Sequence, residues 1–240
     1  MKDEIFNNCI LFLNDDFVIC DKPSLTLSVP DRHQSDRPCL GLYLQLKLNK
    51  NIFPVHRLDY EVSGLVMYAL NAKAHKVSQD WFQSKQIEKN YSAWTLAKQD
   101  FSHWPSNIPK SDQGIYFHSD PKENIWSWKV QLLRGKRRSY ESKNGDWAIT
   151  KAELIQEVHS FFEWRLSPIT GKPHQLRFEL SRHGFPIIGD TLYGGVPLEL
   201  AKNKEFIPYL NNGIALRAVR LNFTNCKDHK KWGLPNVFQL

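Results

Sequence analysis

The sequence lacks the cysteine pairs, long apolar runs and cationic leader that identify several protein classes. Its four cysteines lie far apart, which argues against zinc and thioredoxin-type sites and predicts reduced thiols in the core. No run approaches the roughly 20 apolar residues that a membrane-spanning helix needs. The start mixes acidic residues into a short apolar stretch, unlike a secretory signal. We therefore expect a cytoplasmic protein that does not enter a membrane.

Several catalytic signatures are missing as well. The sequence has no glycine-rich phosphate loop, no paired-histidine metalloprotease motif and no nucleophile elbow. His56 and His174 have too few neighbouring ligand candidates for a metal site. These absences favour a mechanism that uses neither a cofactor nor a metal ion, and they disfavour a methyltransferase that binds a nucleotide cofactor.

The composition is that of a folded, basic protein. The 240 residues are 41% hydrophobic, which is enough chain for one large domain or two small subdomains with a substantial core. Lys and Arg number 32 against 25 Asp and Glu, a net charge of +7. This charge favours a polyanionic partner such as nucleic acid. No repeat is visible, and nothing indicates a required protein partner.

Hydrophobic periodicity predicts alternating strands and helices in the first part of the chain. Residues 17–20 form an apolar run that Pro23 ends, and residues 64–71 are rich in strand-forming residues. Leucines four apart predict an amphipathic helix over 40–48, and the pattern of 72–84 predicts a second helix. A further strand is expected near Tyr91.

The second half predicts an antiparallel sheet and one more helix. Residues 98–128 are rich in proline and polar residues, so we expect an irregular surface excursion, with Trp104, Trp126 and Trp128 packing beneath it in preference to stacking on bases. Alternation over 128–142 and 148–169 predicts three or four strands, and 171–184 has the punctuation of a helix. Together these elements predict an α+β fold with a large mixed, mainly antiparallel sheet and flanking helices.

Five sequence blocks occur in an order that resembles the RluA-type pseudouridine synthases. They are "DKP…SVP", "HRLDYEVSGLVMYALN", "IEKNYSAW", "GKPHQLRFELSRHGFPIIGDTLYGG" and "GIALRAVRLNF", and the likeness runs from about residue 13 to about residue 223. The resemblance implies a cofactor-free isomerase of uridine in structured ribosomal or transfer RNA. It also implies the pseudouridine synthase catalytic fold as a single domain over 1–240, without a separate N-terminal RNA-binding domain.

The resemblance assigns three catalytic positions. Asp59 matches the family's catalytic aspartate, which acts either as a nucleophile at the sugar or as a base on a glycosyl intermediate. Arg177 matches the buried arginine that pairs with this aspartate and keeps it charged. Tyr91 matches the tyrosine that stacks on the uracil and can relay a proton.

The resemblance also implies a set of RNA contacts. Arg57 matches an arginine that enters the RNA stack as the target base leaves it, and Leu176 matches an aliphatic residue of the pocket. Lys73 and Lys76 are expected to bind RNA phosphates, and His56 adjoins the same site. The basic run 134–139 is equally compatible with phosphate binding and with a solvated hairpin tip.

The chain departs from the family pattern at several positions. Val62 stands where the family usually has Thr, Lys172 and Pro173 replace Arg and Thr, and Arg217 replaces a histidine. These changes keep open the alternative of a catalytically silent RNA-binding protein of the same fold.

Taken singly, the three catalytic residues have ordinary structural interpretations. Asp59 would be a loop or capping carboxylate, and Tyr91 a strand aromatic. Arg177 would be an exposed helix residue that balances Glu179 or Asp190. The combination of blocks favours catalysis over these readings.

Overall fold

The structure is a computed structural model that describes residues 4–31, 36–98, 125–201, 207 and 213–240. The chain divides into two compact units, one formed by residues 1–89 with 217–240 and the other by residues 90–216. The prediction of a single catalytic domain over the whole chain is not tested by this division and stays a prediction. Within the described residues, no helix is long and apolar enough to cross a membrane.

The regular secondary structure of the described residues consists mostly of strands, together with three α-helices. The strands are β1 Ile10–Leu13, β2 Phe17–Lys22, β3 Phe53–Pro54, β4 Ser63–Ala69, β5 Glu88–Leu96, β6 Ile125–Arg134, β7 Ser139–Glu141, β8 Asp146–Val158, β9 Phe161–Pro168, β10 Leu216–Asn222 and β11 Val237–Gln239. The helices are α1 Leu40–Leu48, α2 Ala72–Gln83 and α3 Gln175–Arg182. This arrangement agrees with the predicted α+β fold and its mixed, mainly antiparallel strands.

The first unit is built around β4, whose seven residues are all buried. Such a strand has neighbours on both sides and both faces, so it reads as a continuous apolar run instead of an alternating one. β4 pairs antiparallel with β2 and parallel with β10. Gly64 allows this close pairing, because its φ is +107° and an added Cβ would lie 2.2 Å from the Ala218 carbonyl oxygen. The predicted strand over 64–71 is confirmed.

The two helices of the first unit also follow their sequence signals. Asn71 caps α2, since its side chain accepts a hydrogen bond from the Ala74 amide at 2.9 Å. α1 ends at Asn49, which adopts the left-handed conformation with φ +48°. All four cysteines are buried free thiols, as predicted.

In the second unit, β5, β9, β8, β6 and β7 pair in that order, and every pair is antiparallel. The prediction of three or four strands after residue 128 is confirmed, since β6 to β9 are four, but the predicted surface excursion is wrong for 125–128. These residues belong to β6, where Trp126 and Trp128 are buried and pack against Trp164. Alternation with exposed Ile125, Ser127 and Lys129 makes this strand look polar in sequence. Trp104 lies outside the described residues.

Helix α3 is almost completely buried. All residues from 175 to 181 are buried, and Phe178 packs on Val130, Leu132 and Ala148 of the sheet. His174 precedes the helix in the left-handed conformation, and Gly184 follows it with φ +82°. The helix predicted from the glycine and proline punctuation is confirmed.

Candidate active site

Asp59 lies in the loop that leads from β3 into β4, in the first unit. Its carbonyl oxygen accepts a hydrogen bond from the Val62 amide at 3.2 Å, which closes a turn directly before β4. The residue before it is clamped by Ser28, whose hydroxyl oxygen accepts from the Leu58 amide at 3.0 Å and donates to the Leu58 carbonyl at 3.1 Å. The loop is therefore held by main-chain contacts on both sides of Asp59, whose side chain is half-buried.

Lys22, at the end of β2, is a buried cation beneath this loop. Its ammonium donates to the carbonyl oxygens of Pro23 at 2.9 Å, Thr26 at 2.8 Å and Tyr60 at 3.4 Å. Burial lowers the pKa of Lys22 to about 7, although the negative charge of Asp59 and then of Glu61 opposes the shift. The sequence carries no signal for this role of Lys22, because a lysine at a strand end is usually exposed.

His56 is held inside the first unit. Its Nε2 accepts a hydrogen bond from the Met67 amide at 3.1 Å, and its ring stacks on Phe82 with the centroids 4.9 Å apart. Burial lowers the pKa of His56 to about 3, with a smaller contribution from the positive charge of Lys89. The ring is therefore neutral near pH 7. Its predicted contact with RNA stays a prediction.

The predicted phosphate ligands of the first unit are on its surface. Arg57 is exposed beside Asp59 in the same loop, and Lys73 and Lys76 are exposed on the first turns of α2. Their placement allows contact with a polyanion, and that contact stays a prediction.

In the second unit, α3 carries Arg177 and Leu176, and β5 carries Tyr91. Arg177 is buried and forms a bidentate salt bridge with buried Asp190, through Nε at 2.7 Å and Nη2 at 2.8 Å. Asp190 is one of the two partners expected for Arg177 as an ordinary helix residue, but the expected exposure is wrong. Tyr91 is half-buried opposite Leu166 of β9, and Leu176 is buried.

The positions that depart from the family pattern have identifiable surroundings. Val62 is buried beside the Asp59 turn, so its methyl groups pack where a hydroxyl would need a partner. Arg217, on β10, forms a salt bridge with Asp21 and donates to the Ser63 hydroxyl at 3.4 Å. Lys172 forms a surface salt bridge with Asp146 at 2.7 Å.

The basic run 134–139 forms the tip of the β6–β7 hairpin. Arg134 lies against the ring of His174, with Nη1 3.1 Å from Nε2, and the Ser139 hydroxyl donates to the Pro173 carbonyl at 2.7 Å. The hairpin is thereby joined to the loop before α3. Lys136 and Arg137 are exposed at the tip. Across the described residues, no three His, Cys, Asp or Glu side chains form a group that could hold a metal ion.

Comparison with known proteins decides the family. Residues 16–182 match the family model described as RNA pseudouridylate synthase, which covers more than half of the chain. The chain belongs to this family. The predicted RluA-type resemblance and the predicted enzyme class, an RNA pseudouridine synthase, are confirmed.

Individual relatives of this RNA pseudouridylate synthase align with between 65% and 92% of its chain. It is 26% identical to the tRNA pseudouridine synthase C of Haemophilus ducreyi over 92% of the chain and 87% of the relative. It is 34% identical to the ribosomal large subunit pseudouridine synthase C of Rickettsia typhi over 65% of the chain, but spans only 43% of that protein.

A solved structure supports the fold. Human RNA pseudouridylate synthase domain containing 1 superposes with a TM-score of 0.63 over 91% of the chain and 79% of the human protein, at 19% identity. The predicted pseudouridine synthase fold is therefore confirmed.

Proposed function

We propose that this enzyme isomerises one specific uridine in structured ribosomal or transfer RNA, with Asp59 as its catalytic residue. The reaction breaks the bond from uracil N1 to ribose C1′ and forms the bond from C5 to C1′. A proton leaves C5, and N1 regains one, so no cofactor or external oxidant is required. The proposal is supported above all by Asp59, a carboxylate on a turn fixed by Ser28 and Lys22, within the block that resembles the family's catalytic motif.

We further propose that Arg177 and Tyr91 complete the chemistry, as the family resemblance implies. Arg177 would hold the Asp59 carboxylate ionised, and one guanidinium can serve two carboxylates because it carries five N–H donors. Its bidentate bond to Asp190 fixes the guanidinium plane. Tyr91 would stack beneath the uracil, with Leu176 contributing apolar surface.

The proposed RNA contacts combine a stacking residue with phosphate ligands. Arg57 would fill the space that the extruded base leaves, which offsets part of the few kcal/mol that base flipping costs. In the first unit, the RNA would also contact Lys73, Lys76 and His56. No protein partner or cofactor is included in the proposal, and its site of action is the cytoplasm.

The basic tip of the β6–β7 hairpin is proposed as a phosphate contact in the second unit. Lys136 and Arg137 are exposed there, and the hairpin is anchored through Ser139 and Arg134. Replacing Lys136 and Arg137 with Ala should weaken RNA binding. It should also make the negative slope of log K against log salt less steep, by about 0.9 per lost phosphate contact. Lys85→Ala, an exposed lysine of the first unit, is the matched control and should leave the slope unchanged.

The decisive experiment maps pseudouridine in the RNA of cells that lack this gene. One or more sites should disappear, return with the wild-type chain and stay absent with Asp59→Asn, which keeps the side-chain shape. Glu61→Gln, two residues away, should restore them. If Asp59→Asn also restores modification, the catalytic role is wrong. RNA binding without any modified site would favour the catalytically silent alternative.

A second experiment tests Arg177. Arg177→Met should abolish turnover while the dissociation constant for RNA stays nearly unchanged. Because Arg177 also pairs with Asp190, the double change Arg177→Met with Asp190→Leu keeps a buried carboxylate from being stranded. A folded double variant with full turnover would refute the role of Arg177.

A further inference from the structure

The main chain on both sides of Asp59 is held by residues of one short segment. Ser28 bonds both the amide and the carbonyl of Leu58, at 3.0 and 3.1 Å. Lys22 bonds the carbonyl of Tyr60 at 3.4 Å. The peptide groups before and after Asp59 therefore depend on the segment 22–28, which begins with the last residue of β2.

This segment is itself braced by buried hydrogen bonds. The Thr26 hydroxyl donates to the Pro23 carbonyl at 2.7 Å, and the Tyr68 hydroxyl donates to the Ser28 carbonyl at 2.8 Å. Lys22, Thr26 and Ser28 are at most 3% exposed. A segment with buried side chains and satisfied polar groups has one arrangement, so it can position the loop that it contacts.

Lys22 brings a buried ammonium into this segment. Its hydrogen-bond acceptors are the three carbonyl oxygens and the Thr26 hydroxyl, and within the described chain no carboxylate forms a salt bridge with it. Burial disfavours its protonated form, and the negative charges of Asp59, Glu61 and Asp21 favour it. Lys22 therefore holds the segment and the Tyr60 carbonyl through hydrogen bonds from its ammonium.

We propose that Lys22 and Ser28 are positioning residues for catalysis, which together hold the turn that carries Asp59. This inference rests on the proposed catalytic role of Asp59. It separates two contacts of the same segment, because Ser28 holds Leu58 before Asp59 whereas Lys22 holds the Tyr60 carbonyl after it.

The test compares Lys22→Met and Ser28→Ala with the wild-type chain on the RNA that carries the mapped uridine. Lys22→Met should lower kcat at least tenfold, with the dissociation constant for RNA within threefold of the wild type. Ser28→Ala should also lower kcat, with the dissociation constant for RNA within the same limit. Lys85→Met, which removes an exposed charge, should change neither quantity.

The outcomes are separable from those of the proposed function. Modification by Asp59→Asn would overturn the catalytic role of Asp59 and this inference with it. An inactive Asp59→Asn together with Lys22→Met and Ser28→Ala at wild-type kcat would overturn only the positioning role. If Lys22→Met does not fold, Ser28→Ala, which leaves the buried charge in place, still decides whether the segment positions Asp59.

Discussion

The two units solve the problem of a buried cation in different ways. In the first unit, Lys22 is surrounded by the carbonyl oxygens of Pro23, Thr26 and Tyr60. In the second unit, Arg177 is paired with a full negative charge, since it forms a bidentate salt bridge with Asp190. Lys22 is completely inaccessible to solvent, and Arg177 is 2% exposed.

The two cations differ in how their protonation responds to burial. An arginine stays protonated at any pH that a protein tolerates, so a carboxylate must accompany it into the core. A lysine can lose its proton instead, and the pKa of Lys22 is lowered to about 7. Arg177 is therefore a permanent charge with a fixed orientation, whereas the charge of Lys22 can be removed near neutral pH. The following experiments test this contrast between Lys22 and Arg177.

The largest effect is expected from removing the carboxylate that accompanies Arg177. Asp190→Ala strips the guanidinium of a bidentate partner inside the core and should lower the free energy of unfolding by about 3–5 kcal/mol. Urea denaturation measures this change. The control is Asp146→Ala, since Asp146 is 77% exposed and pairs with Lys172 at the surface, so its loss should change stability by less than about 0.5 kcal/mol. Equal effects of the two variants would contradict the importance of the buried pair.

The second effect is the pH dependence that Lys22 should impose on stability. Its pKa is about 7 in the folded chain against an ordinary 10.5, so the unfolded chain binds an extra proton between these values. The free energy of unfolding should therefore rise with pH across this window. Once the pH is below the folded pKa of Lys22, this gain in stability should be absent. From about pH 7.5 to about pH 9.5, the wild type should gain roughly 2–3 kcal/mol more than Lys22→Met in urea denaturation. Parallel pH profiles of the two proteins would refute the shift.

A smaller effect is expected from the hydroxyl that braces the Lys22 segment. Thr26→Val keeps the side-chain shape but leaves the Pro23 carbonyl without its 2.7 Å partner, and should cost about 1 kcal/mol in urea denaturation. Thr191→Val, an exposed threonine of the second unit, is the matched control with an expected change below about 0.5 kcal/mol. A neutral Thr26→Val would show that the segment does not depend on this hydroxyl.

The smallest effect should come from Lys172, one of the departures from the family pattern. Its partner Asp146 is exposed, so Lys172→Ala should change the unfolding free energy by less than about 0.5 kcal/mol. A larger loss would indicate that the loop before α3 depends on this pair.

Much of the fold could be predicted because local patterns carry it. The apolar run of β4, the leucine spacing of α1 and the glycine after α3 each reflect forces that act within a few residues. The expected packing of Trp126 and Trp128 is confirmed, but their strand was not predicted, because proline-rich, polar neighbours obscured its alternation of large aromatic and polar residues. Asp59, Tyr91 and Arg177 were found through the order of the motifs, since a single Asp or Tyr has no distinctive pattern.

The sequence alone predicts the helices, most of the strands, the family and the position of the proposed catalytic aspartate. The burial of Lys22 beneath residues 58–60 follows only from the tertiary structure, because its bond to Tyr60 spans 38 residues of chain. The same holds for the clamp between Ser28 and Leu58, 30 residues apart. Lysine and serine favour solvent in any local window. Their role arises only when the folded chain removes them from water and brings carbonyl groups to them.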